Sequence, residues 1–521
     1  MTAVQISPRH RRIVVPHVQG LHNLVPDAQR FEFKGESLLA LPHCEDHTRF
    51  ARNFGFNVPA PVQHYYDWCG QTPFEVQKQS VAMLTLEPRA FLLNGMGTGK
   101  TRTILWAFDW LKQQGKAQRM LVVAPLSTLN MTWWREAFRV TPHLKVNVLH
   151  GTREKRLAML ADPADIYVIN HDGLDIIKQE IVNRTDIDTV AIDELAVYRN
   201  GRSKRWKAMN KVVAGKPRVW GATGSPTPED PTDAWAQIRL IRPNNVTSSF
   251  THFRDATMLK VSTFRWVPKP SAMQVVRDAM TPAVRFTLDD VLELPEVVIR
   301  EVEIEQSPKQ IEVYREMEKR LTVQMERGEV TAQNAGILLS KLLQVAMGWV
   351  YTNDGRTWEL EASQRLAALE DAIASTDRKV IVFVPYIHAL SGVAAHLTNA
   401  GIHCETVSGD TPKRKRDEVF GAFQMSMQPR VLVAHPQCMS HGLTLTAADT
   451  IVWFGPMASL EIFEQANARI TRIGQKHKQQ VLLFCGTSAE RRVYTRLRQK
   501  QGVQDTLLEM LRERTSAENR A

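Results

Sequence analysis

The sequence predicts an α/β protein of two lobes, each built on a parallel sheet, with a mostly helical segment between them. Eight short β-branched runs, at 120–124, 166–169, 190–192, 218–220, 380–384, 431–434, 450–454 and 481–484, are apolar on both faces. A strand covered by helices on each side has that pattern, whereas a half-solvated antiparallel strand alternates. Helix-compatible stretches separate the runs, giving the β-α alternation of a parallel sheet. The runs cluster before about residue 221 and after about residue 379, and two clusters mean two sheets.

In chain order, residues 1–70 form an N-terminal extension in which Pro59 and Pro61 break any long element. His43, Cys44, Asp46 and His47 cluster there. A metal site is conceivable, but no second ligand pair lies nearby, and solvated loop residues are expected. Residues 71–243 hold the first lobe and residues 244–363 the segment between lobes. In that segment Ser307-Pro308-Lys309-Gln310 places an N-cap serine, proline at the first helical position and glutamine at the third, a capping box. Ile311, Tyr314, Met317 and Leu321 follow at helical spacing, and a second helical run covers 336–347. Asn353-Asp354-Gly355 gives a tight-turn signal between Tyr351 and Trp358. Residues 364–521 hold the second lobe.

The 521 residues fit three domains, or two enlarged ones, at ~100–200 residues each. A 43% apolar and 23% charged composition excludes global disorder. No stretch approaches the ~20 consecutive apolar residues of a membrane span. Arg9, Arg11 and Arg12 precede Ile13–Val15, a run too short for a signal-peptide core, so a soluble intracellular protein is expected. Cys44, Cys69, Cys404, Cys438 and Cys485 form no Cys-x-x-Cys pair, which argues against a disulfide framework or zinc module. Lysine and arginine number 66 against 55 acidic residues, a net charge of +11. That surplus suggests a polyanion partner and equally describes a solvated surface.

The most informative segment is Phe91-Leu-Leu-Asn94-Gly95-Met96-Gly97-Thr98-Gly99-Lys100-Thr101. An apolar strand enters a glycine-rich turn, then Lys-Thr, then a helix beginning near Arg102. Glycines let backbone N–H groups wrap a phosphate chain, while Lys100 supplies charge to the β- and γ-phosphates and Thr101 a hydroxyl to magnesium. Asn94 stands where the strict pattern has Gly. Further on, Thr189-Val-Ala-Ile-Asp193-Glu194 puts a carboxylate at the end of a buried strand, suited to hold magnesium through water. Glu194 is placed to orient and deprotonate the attacking water. Alone, an Asp-Glu pair after a strand is commonly a helix N-cap; beside a phosphate loop the catalytic reading dominates. In the second cluster Arg469 and Arg472 lie three apart, on one helical face. A solvated stripe and an arginine finger for phosphoryl transfer both have this spacing.

These segments, in this order, resemble a superfamily-two helicase of the Swi/Snf-like ATPase family over about residues 71–512. Thr72-Pro-Phe-Glu-Val-Gln77 is similar to the family's adenine-reading motif. Pro125-Leu-Ser127-Thr128, followed by Trp133 and Glu136, resembles its first DNA-contacting motif, and Asp193 to Asn200 its magnesium motif. Thr223-Gly-Ser225-Pro226, followed by Trp235 and Pro243, resembles the motif coupling hydrolysis to movement; residues 286–295 resemble the segment leading into the second lobe. There, Gly409, Arg416 and Phe423 match a backbone-contacting motif and His441-Gly-Leu-Thr444-Leu-Thr446 the next. Gln465 to Gln475, with Arg472-Ile-Gly474-Gln475 at its end, matches the family's signature. Ala196 stands where many relatives have His and Thr444 where Asn is usual; neither change removes a catalytic group. Pro42 to Tyr66 looks like the segment preceding the motor in compact phage and bacterial relatives, among them the annealing helicases.

The resemblance implies two RecA-like lobes and a DNA-dependent ATPase using ATP and Mg2+, in the cytoplasm of a bacterial cell or phage-infected host. It implies that Gln77 and the loop residues Asn94, Gly95, Met96, Gly97, Thr98, Gly99, Lys100 and Thr101 bind ATP. It assigns Thr101 and Asp193 to the metal, and Glu194, Arg469 and Arg472 to catalysis. Thr223, Ser225 and Gln465 couple hydrolysis to movement. Ser127, Thr128, Arg416, Thr444 and Thr446 meet the DNA backbone without reading its sequence. Lys413-Arg414-Lys415 either add attraction to DNA or start a solvated helix. Trp133 and Trp134 are expected in packing, because a duplex-tracking motor needs no exposed base. The expected activity is translocation along double-stranded DNA. The alternatives are a strand-separating or annealing helicase on forked or branched DNA, and an ATP-gated DNA clamp.

Overall fold

Apolar runs that cannot face water on either side become central strands in both halves of the chain. In a computed structural model the described residues are 4–68, 72–227, 230–262, 266–287, 290, 297–326, 332–351, 357–439, 444–472 and 475–499. The chain divides into two units, Met1–Val291 and Leu292–Ala521. The first holds a seven-stranded sheet in the order Ala283–Val284, Arg89–Leu92, Arg218–Ala222, Ile187–Asp193, Arg119–Ala124, Ile166–Asn170, Val146–Leu149. Every pairing in it is parallel. The second holds six strands in the order Val297–Glu303, Gln479–Cys485, Ala448–Trp453, Lys379–Phe383, Val431–Ala434, Cys404–Val407, again all parallel. Helices cover both sheets, and side chains such as Phe91, Leu121, Val190, Ile381, Val433 and Val452 are fully buried. These are two RecA-like lobes, and each of the eight anticipated runs is a strand or its core.

The segment 244–363 does not form a layer of its own. Ala283–Val284 extends the first sheet beside Arg89–Leu92, while Val297–Glu303 is an edge strand of the second. That edge strand reads Val-Val-Ile-Arg-Glu-Val-Glu, mixed in polarity because one flank is open, so it escapes a search for doubly buried runs. The capping box is present: helix Pro308–Glu326 starts with Ser307 N–H donating to Gln310 Oε1 at 3.0 Å and Gln310 N–H to Ser307 Oγ at 3.2 Å. Tyr314 and Met317 pack against the core of the second unit, with Leu339, Leu342 and Leu343 of helix Ala332–Met347. Trp349–Tyr351 pairs antiparallel with Thr357–Glu359; the turn signal at 353–355 between them lies outside the described residues. No described helix is long and apolar enough to cross a membrane.

Within residues 1–70 the structure has a small four-stranded antiparallel sheet, ordered Gln5–Ser7, Arg12–Pro16, Glu36–Pro42, Gln29–Phe33. Ile13, Val15, Leu39 and Leu41 form a core with Leu21 and with Ala51 of helix Glu45–Asn53. His43 is not a solvated loop residue. It is buried, with one ring nitrogen 2.9 Å from the Tyr65 hydroxyl and the other 2.9 Å from the Pro59 carbonyl, which leaves neither open to a metal. The module grips the helix Lys100–Gln113 and the turn after it. Trp110 Nε1 donates to Glu45 at 2.6 Å, the Tyr66 hydroxyl to Asp109 at 2.6 Å, and Lys116 pairs with Glu45 and Asp46.

One ion pair is sealed inside the second unit: Arg365 meets Glu490 at 2.9 Å, both fully buried, and Glu490 also caps helix Ser488–Arg498. Removing one partner of such a pair strands the other charge and costs about 3–5 kcal/mol, whereas an exposed pair such as Arg414–Glu418 contributes little. Glu490→Gln is therefore expected to lower the urea midpoint of the second unit's unfolding by several times the shift of Glu418→Gln. Equal shifts in denaturation monitored by circular dichroism would contradict the assigned role.

Candidate functional site

Parallel strands all end on one edge of their sheet, and in the first lobe four motifs occupy neighbouring strand ends. Asn94 follows Arg89–Leu92, Thr223 follows Arg218–Ala222, Asp193 ends Ile187–Asp193, and Pro125 follows Arg119–Ala124. Ligands of open α/β sheets bind at this edge. The phosphate loop turns there through Gly97 at φ +78° and Gly99 at φ +84°, a region that disfavours any side chain. Lys100 leads the following helix, and its ammonium donates to the carbonyls of Asn94 at 2.9 Å and Gly95 at 3.0 Å, so it lies over the loop that it serves. The Thr98 hydroxyl closes the turn on the Gly95 carbonyl at 2.9 Å.

Two residues hold the loop from outside. Gln77 accepts from the Phe74 N–H and donates to the Thr98 carbonyl, both at 3.0 Å, so the segment 72–77 is tied directly to the phosphate loop. Asn94 is buried: its amide donates to Ser80 Oγ at 2.9 Å and its carbonyl oxygen accepts from Phe286 N–H at 3.0 Å. The asparagine that breaks the strict glycine pattern thus anchors the loop to a segment 192 residues away. Nothing in the sequence signals that contact.

Asp193 is partly buried at the strand end, and desolvation pushes its carboxyl above the usual range against the opposing pull of the Trp133 N–H and the Lys100 charge. Trp133 Nε1 donates to one carboxylate oxygen at 3.0 Å, and the Glu194 N–H to the other at 3.1 Å. Glu194 itself sits at φ +52°, ψ +57°, an uncommon backbone state for a non-glycine residue that recurs at active sites. The turn after it packs so tightly that a Cβ on Gly221 would lie 2.6 Å from Leu195. Asp193 and Thr101 offer hard oxygen donors, the set that magnesium prefers, and a cation relieves the cost of a desolvated carboxylate. Thr223 is buried, its hydroxyl accepting from the Ser225 N–H at 3.3 Å, beside a Gly224 in ordinary contact range of the phosphate loop.

The DNA-contacting motif divides. Thr128 is buried, with its hydroxyl on the Pro125 carbonyl at 2.9 Å, so it shapes the turn. The Ser127 hydroxyl is inaccessible and has no partner among the described residues. Trp133 is packed as expected at 1% exposure, but Trp134 is 47% exposed and stacks on Phe138, itself 69% exposed. The expectation of packing fails for Trp134 because it leaves the opposite side of the same turn.

In the second lobe the two arginines do not share a helical face. Helix Leu460–Asn467 ends before them, and they lie in the turn that follows. Arg469 is buried and its Nε donates to the Gln465 carbonyl at 2.9 Å; Arg472 Nε donates to the Ala468 carbonyl at 3.1 Å. Arg472 also reaches Thr444 Oγ at 3.4 Å. The Gln465 side-chain amide donates to Glu461 at 3.0 Å, while its buried Oε1 lacks a partner among the described residues. Thr446 accepts from Gln424 at 3.1 Å, and Arg416 donates to the Thr411 carbonyl at 3.1 Å. Arg414 is exposed at the start of its helix and pairs with Glu418, an exposure that both readings require. His441, Gly442, Leu443 and Gly474 lie outside the described residues, as do 288–289 and 291–295.

A strand, a glycine-rich turn over a lysine, and a partly buried Asp-Glu pair two strands away on the same sheet edge form the nucleotide half-site expected of a phosphate-loop ATPase. A family model described as the SNF2-related domain matches residues 77–348, more than half of the chain, and one described as the helicase conserved C-terminal domain matches residues 364–474. The chain belongs to the SNF2-related family and is an enzyme of the ATP-dependent helicase class. Protein p41 of Acyrthosiphon pisum secondary endosymbiont phage 1 is 26% identical over 85% of this chain and 99% of its own length. An uncharacterised ATP-dependent helicase of Mycoplasma genitalium is 25% identical over 83% of this chain and 42% of its own. The chain thus spans nearly all of the phage relative and under half of the bacterial one. Among solved structures, the Sulfolobus solfataricus SWI2/SNF2 ATPase core in complex with dsDNA aligns at 19% identity and a TM-score of 0.41, over 82% of this chain and 91% of that one.

The Gly99 position gives a sharp check on the half-site. An added Cβ would lie 2.3 Å from Gln77 Nε2 at a φ of +84°, so it meets both strain and the Gln77 side chain. Gly99→Ala is expected to weaken ATP binding by at least about tenfold, ~1.4 kcal/mol, in a fluorescent-nucleotide titration. Unchanged affinity would place ATP elsewhere.

Proposed function

We propose that this protein is an ATP-driven translocase that moves along double-stranded DNA through contacts with its backbone. The observation that carries the reading is the arrangement around Asp193 and the phosphate loop: a complete set of nucleotide-handling groups on adjacent strand ends, with the DNA-contacting motif on the next strand. ATP is held by the loop 94–101 with Gln77 at its base. Lys100 moves from the loop carbonyls to the phosphates, and Glu194 takes the proton of the attacking water. Arg469 and Arg472 supply positive charge to the transferring phosphoryl group, as phosphoryl transfer requires. Thr101 and Asp193 would hold a magnesium ion, whose charge would offset that of the phosphates.

Movement follows if each cycle of ATP binding and hydrolysis alters the grip of the two lobes on one track. Thr223 and Ser225 follow the strand that lies between the phosphate-loop strand and the Asp193 strand, and with Gln465 of the second unit they are the groups this reading assigns to that coupling. The side-chain Oε1 of Gln465, without a partner among the described residues, is a group that an incoming donor would satisfy. Backbone contacts from Arg416, Thr444 and Thr446 would be indifferent to sequence. The setting expected for such a motor is the cytoplasm of a bacterial or phage-infected cell.

Glu194→Gln is expected to abolish steady-state ATPase activity while preserving ATP binding, and Arg472→Ala to lower kcat by about 10³-fold or more. Retained duplex-stimulated turnover in the first variant would remove Glu194 from its role. Triplex displacement without strand displacement is the expected signature of duplex tracking; strand displacement on a forked substrate would favour the unwinding alternative.

If the +11 surplus marks a phosphate track, duplex affinity falls linearly on a log-log salt plot, by about 0.9 per neutralised phosphate, and varies little with sequence. Fluorescence anisotropy on two unrelated duplexes from low to moderate salt measures both. A flat salt response would show that the charge serves another purpose.

A further inference from the structure

The turn that contacts DNA in this family reaches the magnesium carboxylate inside this lobe. After Pro125–Thr128 the chain winds into a π-helical turn, Leu129–Trp134, and then helix Arg135–Val140. A π turn is strained relative to an α turn and recurs where function needs a particular side-chain direction. Here it carries two neighbouring indoles to opposite environments. Trp134 is exposed with Phe138, whereas Trp133 is buried and donates its ring N–H to Asp193 at 3.0 Å. The same element makes a second connection, because Glu136 pairs with Arg102, the residue after Thr101 on the helix leading from the phosphate loop. The π turn and the helix that continues it therefore touch the metal carboxylate and the phosphate-loop helix, through Trp133 and Glu136. Its Ser127 hydroxyl, buried and without a partner among the described residues, is a cost that a shift of the turn would relieve.

We propose that Trp133 is a positioning residue: through its N–H bond to Asp193 it transmits the state of the DNA-contacting turn to the magnesium site, with the Glu136–Arg102 pair as a second link. The inference rests on the ATPase reading above. A carboxylate held by two donors has a fixed orientation, and loss of one donor frees it. If duplex DNA displaces or braces the turn, the Asp193 carboxylate is re-aimed with it. Nucleotide with magnesium at Asp193 must then act back on the turn, since coupling between binding sites is reciprocal.

The test is a binding cycle that needs no turnover. The affinity of the full-length protein for a labelled duplex is measured with and without a non-hydrolysable ATP analogue plus Mg2+. Wild type is expected to show about a fivefold or larger change between the two states, within the usual span of allosteric coupling. Trp133→Phe, which keeps a ring but removes the donor, is expected to reduce that factor below about twofold. The coupling factor is a ratio of affinities measured on one and the same variant, so a uniform change in binding to the duplex or to the analogue leaves it unaltered. Glu136→Gln, a partly exposed change less exposed to folding defects, should reduce the same factor. Full coupling in either variant, or none in wild type, overturns the proposal. A wild-type protein that couples the two ligands but shows no duplex-stimulated ATPase activity would instead strike at the proposed function.

Discussion

A parallel sheet imposes one constraint from which the site follows. Each strand must be reached by a crossover, so every strand runs the same way and every C-terminal end lies on one edge. In the first lobe this brings Asn94, Thr223, Asp193 and Pro125 onto four adjacent strand ends, although the chain between them spans whole β-α units. Because these strands are buried on both faces, a register slip would disturb two packed layers at once. The hydrophobic core thereby fixes the relative heights of the loop, the carboxylate pair and the coupling motif. Chemistry at the edge inherits the rigidity of the interior.

Both departures from the family pattern that bear side-chain chemistry are met locally. Asn94 replaces a glycine whose job is to leave room, and its amide is turned from the loop interior toward Ser80 and Phe286. Both of its polar ends are bonded, as a buried amide requires. In the second lobe the hydroxyl of Thr444 takes a hydrogen bond from Arg472. A shorter side chain than asparagine still meets the arginine, because the turn after Asn467 brings the guanidinium down to it.

Both sheets were legible in the sequence because their central strands are doubly buried and so lack the ambiguity of mixed patterns. The phosphate loop was legible because positive-φ glycines have no substitute, and the Ser307–Gln310 cap because its two hydrogen bonds are local. What escaped depended on partners distant in sequence or on an open flank. Val297–Glu303 carries charge because it is an edge. Gln29–Phe33 is exposed along its whole length, so the alternation of Phe31 and Phe33 is too short to mark a buried strand face. The arginine pair was misplaced onto a helix face because spacing cannot say where a helix stops. His43 looked like a loop residue because its two partners, Tyr65 and Pro59, come from beyond the following helix.

Ala196 gives the remaining departure a physical meaning. A histidine at this place could donate or accept a hydrogen bond toward its neighbours; a methyl group can do neither. Here Ala196 is buried in the short turn Leu195–Tyr198, and the Thr223 hydroxyl is occupied by the Ser225 N–H. The side chain best placed to orient Asp193 is therefore Trp133, approaching from the DNA-contacting turn, while the backbone of Glu194 fixes the other oxygen. In a protein with both a histidine and a tryptophan, the carboxylate would answer to the coupling motif and to the DNA turn together. With alanine at 196 the DNA turn has the only side-chain bond to Asp193 among those described. On this reading the metal site of this chain depends more directly on DNA than that of a relative with the histidine, and restoring it through Ala196→His should make the coupling less sensitive to Trp133→Phe.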